Sequence, residues 1–195
     1  MAQLLDVSSL KPHPENTYYF DDISITPERW QEFLDSVRAR GIITPITISN
    51  NSVIVSGHQR VKACQELGIA QIPCEVRMYS NEDELLQDLI ETNIRQRGTI
   101  GNPIKMGRCA KTLMRLYGIE DMGKSEGKEA REKIAAMFGK HKGTLYTAKR
   151  LTTLNENIQA ALDSGAIPTN AGTFIAAKFD EMQEEQLAAA LPAIP

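Results

Sequence analysis

Cysteine is scarce in this 195-residue chain: Cys64, Cys74 and Cys109 lie far apart and form no CxxC pair. That spacing argues against a disulfide scaffold or a structural zinc site, and fits a reducing cytoplasm. Histidine is as sparse, with three scattered residues, so no metal site is expected. No apolar run approaches the ~18 residues that a membrane span needs. The N-terminus, MAQLLDVSSLKPHPEN, has neither a basic nor a hydrophobic signal region, so no secretory leader is expected and the cytoplasm is the expected compartment. No Walker-type lysine loop, HExxH pair or serine nucleophile elbow occurs. Repeats and low-complexity tracts are absent too.

What is present is a composition ordinary for a globular protein, with 42% hydrophobic and 24% charged residues. The net charge of −3 hides an asymmetry: Ile104 to Leu151 holds 12 Lys or Arg against 5 Asp or Glu. That segment is +7, which leaves −10 for the remainder. A basic middle between acidic flanks is the footprint of a nucleic-acid site; a solvated helical surface is the plainer alternative.

The stretch Val53 to Gly68, VIVSGHQRVKACQELG, organises the first half. It predicts a strand, a glycine turn at Gly57 and a helix opening on His58, Gln59 and Arg60. The first-turn amides, the helix dipole and Arg60 suit an anion such as phosphate. The plain alternative is a β-turn-α connection with Arg60 facing solvent. Around it we expect a strand over Gln3 to Val7 and then a Pro-containing loop, KPHPENTYYFDD. Tyr18, Tyr19 and Phe20 in that loop are expected to pin it to the core, with base stacking as the alternative. Thr26-Pro27 starts a helix that Gly41 ends. Strands follow at Ile46 to Ser49 and Val53 to Ser56, reversed at Asn50-Asn51 by positive φ, and another at Ile72 to Met78. Ser80-Asn81 caps a helix that ends in ETNIRQRG.

These elements make an α+β domain over residues 1–98, with GTIGNP as the hinge. Residues 99–195 read as helical only. Helices are expected at Ile104 to Tyr117, Ala130 to Phe138, Lys142 to Leu154, Glu156 to Asp163, Pro168 to Lys178 and Asp180 to Leu191, with a polar linker from Gly118 to Gly127. The pair spanning about 130–154 has helix-turn-helix spacing. Its second helix would offer Lys140, His141, Lys142, Thr144, Tyr146 and Thr147 to the major groove, and Lys149 and Arg150 to phosphates. In the first domain, Asn93 with Arg95 or Arg97 is expected to meet the GHQR turn across a phosphate pocket. If the domain is an enzyme, His58 is the candidate acid/base and Glu91 its partner.

In order and content the chain resembles the ParB family of partition proteins: a ParB/sulfiredoxin-like N-terminal domain followed by a helix-turn-helix domain. The markers are GIITPITI, SGHQRVKACQELG, IPCEV, ETNIRQR, NPIKMGRCAKTL and AAMFGKHKGTLYTAKRLTTL, with NENIQAALDSGAIPTNAG after it. The resemblance implies a DNA-binding protein of plasmid, phage or chromosome partition, or of transcriptional control, regulated by CTP with Mg2+. The triphosphate would lie on Gly57, His58, Gln59 and Arg60 and on Asn93, Arg95 and Arg97. The base would lie at Gly41 to Pro45, which includes Thr44 and Pro45. It further implies a homodimer closing around DNA and a partition ATPase as partner. The sequence departs from the family at His58-Gln59, where Glu-Arg is usual, and at Thr92-Asn93, where Glu-Asn is usual. PENTYYFDD replaces an arginine-rich segment. These departures weigh against hydrolysis, so any CTPase activity is expected to be weak. The family's C-terminal dimerisation domain is not matched; the chain ends LPAIP. Two other readings stay open: a nucleotide-using enzyme of the wider superfamily (NTPase, phosphotransferase or nuclease), and an adaptor with both pockets vestigial.

Overall fold

The computed structural model describes residues 2–20, 26–97, 100–119 and 128–178, the side chains of 97, 177 and 178 excepted. Two compact units divide at residues 93 and 94, within a single helix. The expected polar linker beyond Ile119 and the helix from Asp180 to Leu191 lie outside the described residues.

The first unit is built on a five-stranded mixed sheet. Its strands are β1 (Gln3–Asp6), β2 (Lys11–Pro12), β3 (Ile46–Ser49), β4 (Val53–Ser56) and β5 (Gln71–Arg77), in the order β1-β5-β3-β4-β2. β3 runs antiparallel to β4 and parallel to β5. Every residue of β3 is buried: Ile46 and Ile48 belong to the core, and the polar Thr47 and Ser49 alternate with them. Helices α1 (Asn16–Tyr19), α2 (Pro27–Arg40) and α3 (His58–Glu66) belong to this unit, and α4 (Glu82–Arg97) begins in it. Thr26 caps α2 by accepting from the Arg29 amide at 3.4 Å, with Pro27 at its first position. Asn81 accepts from the Glu84 amide at 2.9 Å, while the Glu84 carboxylate accepts from the Ser80 amide at 2.7 Å. That reciprocal pair fixes the start of α4. Leu34, Val37, Ile46, Ile48, Ile54, Val61 and Ile72 form the core.

Three local expectations change. The first strand stops at Asp6, and Val7–Ser9 form a single 3-10 turn whose Val7 amide bonds to the Ala70 carbonyl. The Pro-containing loop holds β2, which pairs with β4, and α1. Tyr19 and Phe20 are buried there as pins, whereas Tyr18 is exposed. Between β3 and β4 the positive φ falls on Ser52, at 61°, and not on Asn50 or Asn51. The Ser49 hydroxyl accepts from the Asn51 and Val53 amides, and the Ser52 amide bonds to the Ser49 carbonyl. The turn therefore closes over 49–52 and the left-handed residue comes last, as in a three-residue hairpin loop.

Asp88 on α4 collects Arg77 at 2.8 Å, Tyr79 at 2.6 Å and Thr92 at 2.8 Å. Burial alone would raise its carboxyl pKa; the hydrogen bonds and the Arg77 charge outweigh this and hold it below the ordinary value. Burial first, then the bond to Asp88, pushes the Tyr79 hydroxyl above its ordinary value. The Asp88 contribution is present at neutral pH and is lost as pH falls through its lowered value; the Tyr79 contribution is lost only in strong alkali. We expect Tyr79→Phe to remove about 1 kcal/mol, with the loss flat between neutrality and pH ~9. Urea unfolding of both proteins across that range is the check.

The second unit is helical. It contains the end of α4, α5 (Pro103–Leu116), α6 (Lys128–Met137), α7 (Lys142–Leu151), α8 (Glu156–Asp163) and α9 (Thr169–Lys178). Asn102 caps α5 by accepting from the Ile104 and Lys105 amides. α5 was expected as a basic helix, but it packs against α7 as the centre of the unit, and Lys105 is itself buried. Arg131 on α6 is buried as well. Part of the positive charge counted in this segment is therefore not surface charge.

Candidate functional site

β4 delivers the chain to Gly57, which adopts φ 110° and ψ 20° and starts α3 without a side-chain cap. Only glycine takes that conformation readily. Its space is also closed, since a Cβ there would lie 2.6 Å from Ile46 Cδ1 and 3.1 Å from Arg60 Nη2. Arg60 curls back over the turn, and its Nη1 donates to the Thr44 carbonyl at 2.5 Å and the Pro45 carbonyl at 3.0 Å. The guanidinium thereby ties the 41–45 loop to the first turn of α3. Burial lowers its pKa, but the group stays charged at neutral pH. Gly41, at φ 66°, ends α2 and starts that loop.

Gly57, Arg60, Thr44 and Pro45 are thus brought together, with Thr44 and Pro45 contributing carbonyls. Gln59 is half-buried in the same first turn. Asn93 is buried on α4, and its Nδ2 donates to the Val55 carbonyl at 3.0 Å and the Leu89 carbonyl at 2.7 Å. It pins α4 to β4 two residues before the turn, so its amide group acts on backbone where a phosphate contact was expected. Arg95 is exposed and belongs to the second unit; the Arg97 side chain lies outside the described residues.

The two candidate acid/base residues make the following contacts. His58 Nε2 accepts from the His13 amide at 3.3 Å, and Nδ1 is buried. Glu91 accepts from Gln87 at 2.8 Å and lines a different cleft, with Arg77, Tyr79 and Asp88. His13 is the residue that sequence reasoning missed. Its Nδ1 accepts from the Glu15 amide at 3.2 Å and its Nε2 lies 3.1 Å from Glu82. A histidine between two prolines at the mouth of a short strand was the available signal. Among the described residues no group of three or more His, Cys, Asp or Glu is placed to hold a metal ion.

The second candidate surface is on α7. Gly139, at φ 58°, ends α6; its amide bonds to the Ala136 carbonyl, and the Lys140 amide to the Ala135 carbonyl. This double closure turns the chain sharply into α7. His141 caps α7, its Nδ1 accepting from the Gly143 amide at 3.2 Å. Leu145, Ala148 and Leu151 are buried on one side. Lys140, His141, Lys142, Thr144 and Tyr146 are exposed, and Thr147 and Lys149 half-buried. Arg150 is half-buried, and its Nη2 donates to the Ala176 carbonyl on α9. α7 also ends three residues early. The Thr152 and Thr153 hydroxyls turn back onto the Lys149 and Arg150 carbonyls, and Asn155 caps α8.

Residues 3–94 match the family model of the ParB N-terminal domain. The "Probable chromosome-partitioning protein ParB" of Neisseria meningitidis serogroup A is 28% identical over 144 residues, covering 72% of this chain and 46% of that protein. The protein of the same name from Coxiella burnetii is 31% identical over 138 residues, covering 69% and 43%. The chain thus spans less than half the length of these curated relatives. A crystal structure of C-terminally truncated ParB from Caulobacter crescentus, complexed to the centromeric parS site, aligns with a TM-score of 0.57 at 21% identity. It covers 96% of this chain and 92% of that one, a likeness of fold. Among the described residues no helix is long and apolar enough to cross a membrane.

Proposed function

We propose, from the premise that residues 3–94 belong to the ParB N-terminal domain family, that the chain is a sequence-specific DNA-binding partition protein regulated by a nucleotide. One observation carries the DNA half: Lys140 and His141 just before α7, and Lys142, Thr144 and Tyr146 in its N-terminal half, are exposed while the helix's other face is buried. Cations and hydroxyls on the first turns of a helix that follows a tight turn are the equipment of a recognition helix. The curated relatives are named as chromosome-partitioning proteins, which supports the same reading.

The nucleotide half rests on the Gly57 turn. Arg60 places a guanidinium at the N-terminus of α3, and Nη1 is the one of its nitrogens already used on the Thr44 and Pro45 carbonyls. Nε and Nη2 are the atoms with which it would hold a phosphate. CTP is the ligand that the family reading supports, its triphosphate at residues 57–60 and its base at the 41–45 loop. Any Mg2+ would be carried by phosphate oxygens and water. A homodimer that closes around DNA, and a partition ATPase as partner, belong to the same reading. The enzyme alternative, with His58 and Glu91 as acid/base candidates, is the second reading; no observation of the structure favours it.

Duplexes selected from a random pool test the DNA half. Thr144→Ala should weaken the selected duplex about 10-fold and leave non-specific binding unchanged. Lys142→Ala should weaken both and reduce the slope of log K against log salt by about 1. Absence of salt-dependent duplex binding by the wild-type chain would reject the reading. Calorimetric titration with CTP, ATP and GTP, with and without the duplex, tests the nucleotide half.

A further inference from the structure

Helices α2, α4, α5 and α8 are capped by Thr26, Asn81, Asn102 and Asn155, short side chains suited to the task. α7 is capped by a histidine. The backbone of His141 is extended, its carbonyl accepts from the Thr144 amide at 2.9 Å, and its ring Nδ1 accepts from the Gly143 amide at 3.2 Å. A ring nitrogen that accepts carries no proton, so the imidazole is neutral and its one N–H is on Nε2. Gly143 belongs to the same device. It sits in the first turn of α7 without a positive φ, where alanine would be the better helix former. A Cβ there would lie 3.3 Å from His141 Nδ1, so the missing side chain gives the ring its seat on the amide. His141 is exposed between exposed Lys140 and Lys142, and among the described residues nothing accepts from its Nε2.

We infer that His141 Nε2 is a hydrogen-bond donor to duplex DNA, held in one tautomer by the Gly143 amide. This rests on the DNA reading of α7. A threonine or asparagine would serve the cap alone; the imidazole adds a donor further from the backbone. With Nδ1 occupied and Nε2 protonated, the ring has no lone pair left to accept with. It therefore selects acceptor atoms: a phosphate oxygen, or O6 and N7 of guanine or O4 of thymine, and never a base amino group. Lys140 and Lys142 draw the polyanion to the same point.

Nitrogen NMR of the histidine rings of the full chain, at mildly alkaline pH and without DNA, reads the tautomer directly. The Nε2–H form is expected for His141. His141→Asn keeps a cap acceptor and drops the far donor. Its unfolding midpoint should match wild type, while affinity for a duplex selected from a random pool falls about fivefold. The same loss on an unrelated duplex assigns the acceptor as phosphate; a loss confined to the selected duplex assigns it as a base edge. Gly143→Ala displaces the ring without removing a polar group, and should weaken binding in the same pattern. A proton on Nδ1, or a His141→Asn chain that binds both duplexes like wild type, overturns the inference alone. A wild-type chain that binds no duplex brings down the DNA reading and the inference together.

Discussion

Gly107→Ala is expected to destabilise the helical unit by about 3 kcal/mol, enough to lower its unfolding midpoint by roughly 12–24 °C. Gly107 lies on α5 where the helix crosses α7. A Cβ at that position would overlap the Ala148 carbonyl, 2.6 Å from its carbon, and lie 2.9 Å from Thr152 Cγ2. The obstructing atoms are backbone, so no rotamer change relieves the overlap; α5 and α7 must move apart. Leu151 and Leu154, fully or almost fully buried beside Ile104, would lose packing with that movement. α7 carries the proposed recognition surface, so duplex affinity should fall with stability. Gly172→Ala is the control. A Cβ there meets only the side chain of Leu162, at 2.6 Å, and a leucine can change rotamer. Circular dichroism melts of both variants decide the matter. Equal midpoints for the two would mean that the α5–α7 backbone approach is not as close as described.

The elements whose chemistry is local were legible in the sequence. Thr26-Pro27, Asn81 and Asn102-Pro103 each satisfy first-turn amides by side chains within three residues, so the starts of α2, α4 and α5 could be read directly. Gly41, Gly57 and Gly139 take positive φ where the chain turns, again a property of the residue itself. Sequence reasoning failed where a long-range partner decides. Lys105 and Arg131 count as surface charge until the helices pack and bury them. Arg150 gains a partner on α9, the Ala176 carbonyl, that no local pattern predicts. His13 and His58 meet across 45 positions, which no periodicity reveals. The site is therefore harder to read than the fold, since side-chain partners there come from distant elements.

Arg60→Ala should reduce CTP affinity by about 10- to 100-fold, the worth of a charge-assisted hydrogen-bond pair to a phosphate. Two losses combine. The anion loses its guanidinium, and the Thr44 and Pro45 carbonyls lose their common donor, so the 41–45 loop is released from the turn. The second loss costs stability as well, about 1–2 kcal/mol for acceptors left without a partner. Arg60→Lys separates them. An ammonium on a flexible stem can reach one carbonyl or a phosphate, but it lacks the planar fork that serves both at once. Its midpoint should lie near wild type while CTP affinity stays several-fold low. Arg60→Ala that binds CTP like wild type would show that the guanidinium is a strut for the loop only. The anion reading of the turn would then fail, and the exposed face of α7 would stand alone as the functional surface of the chain.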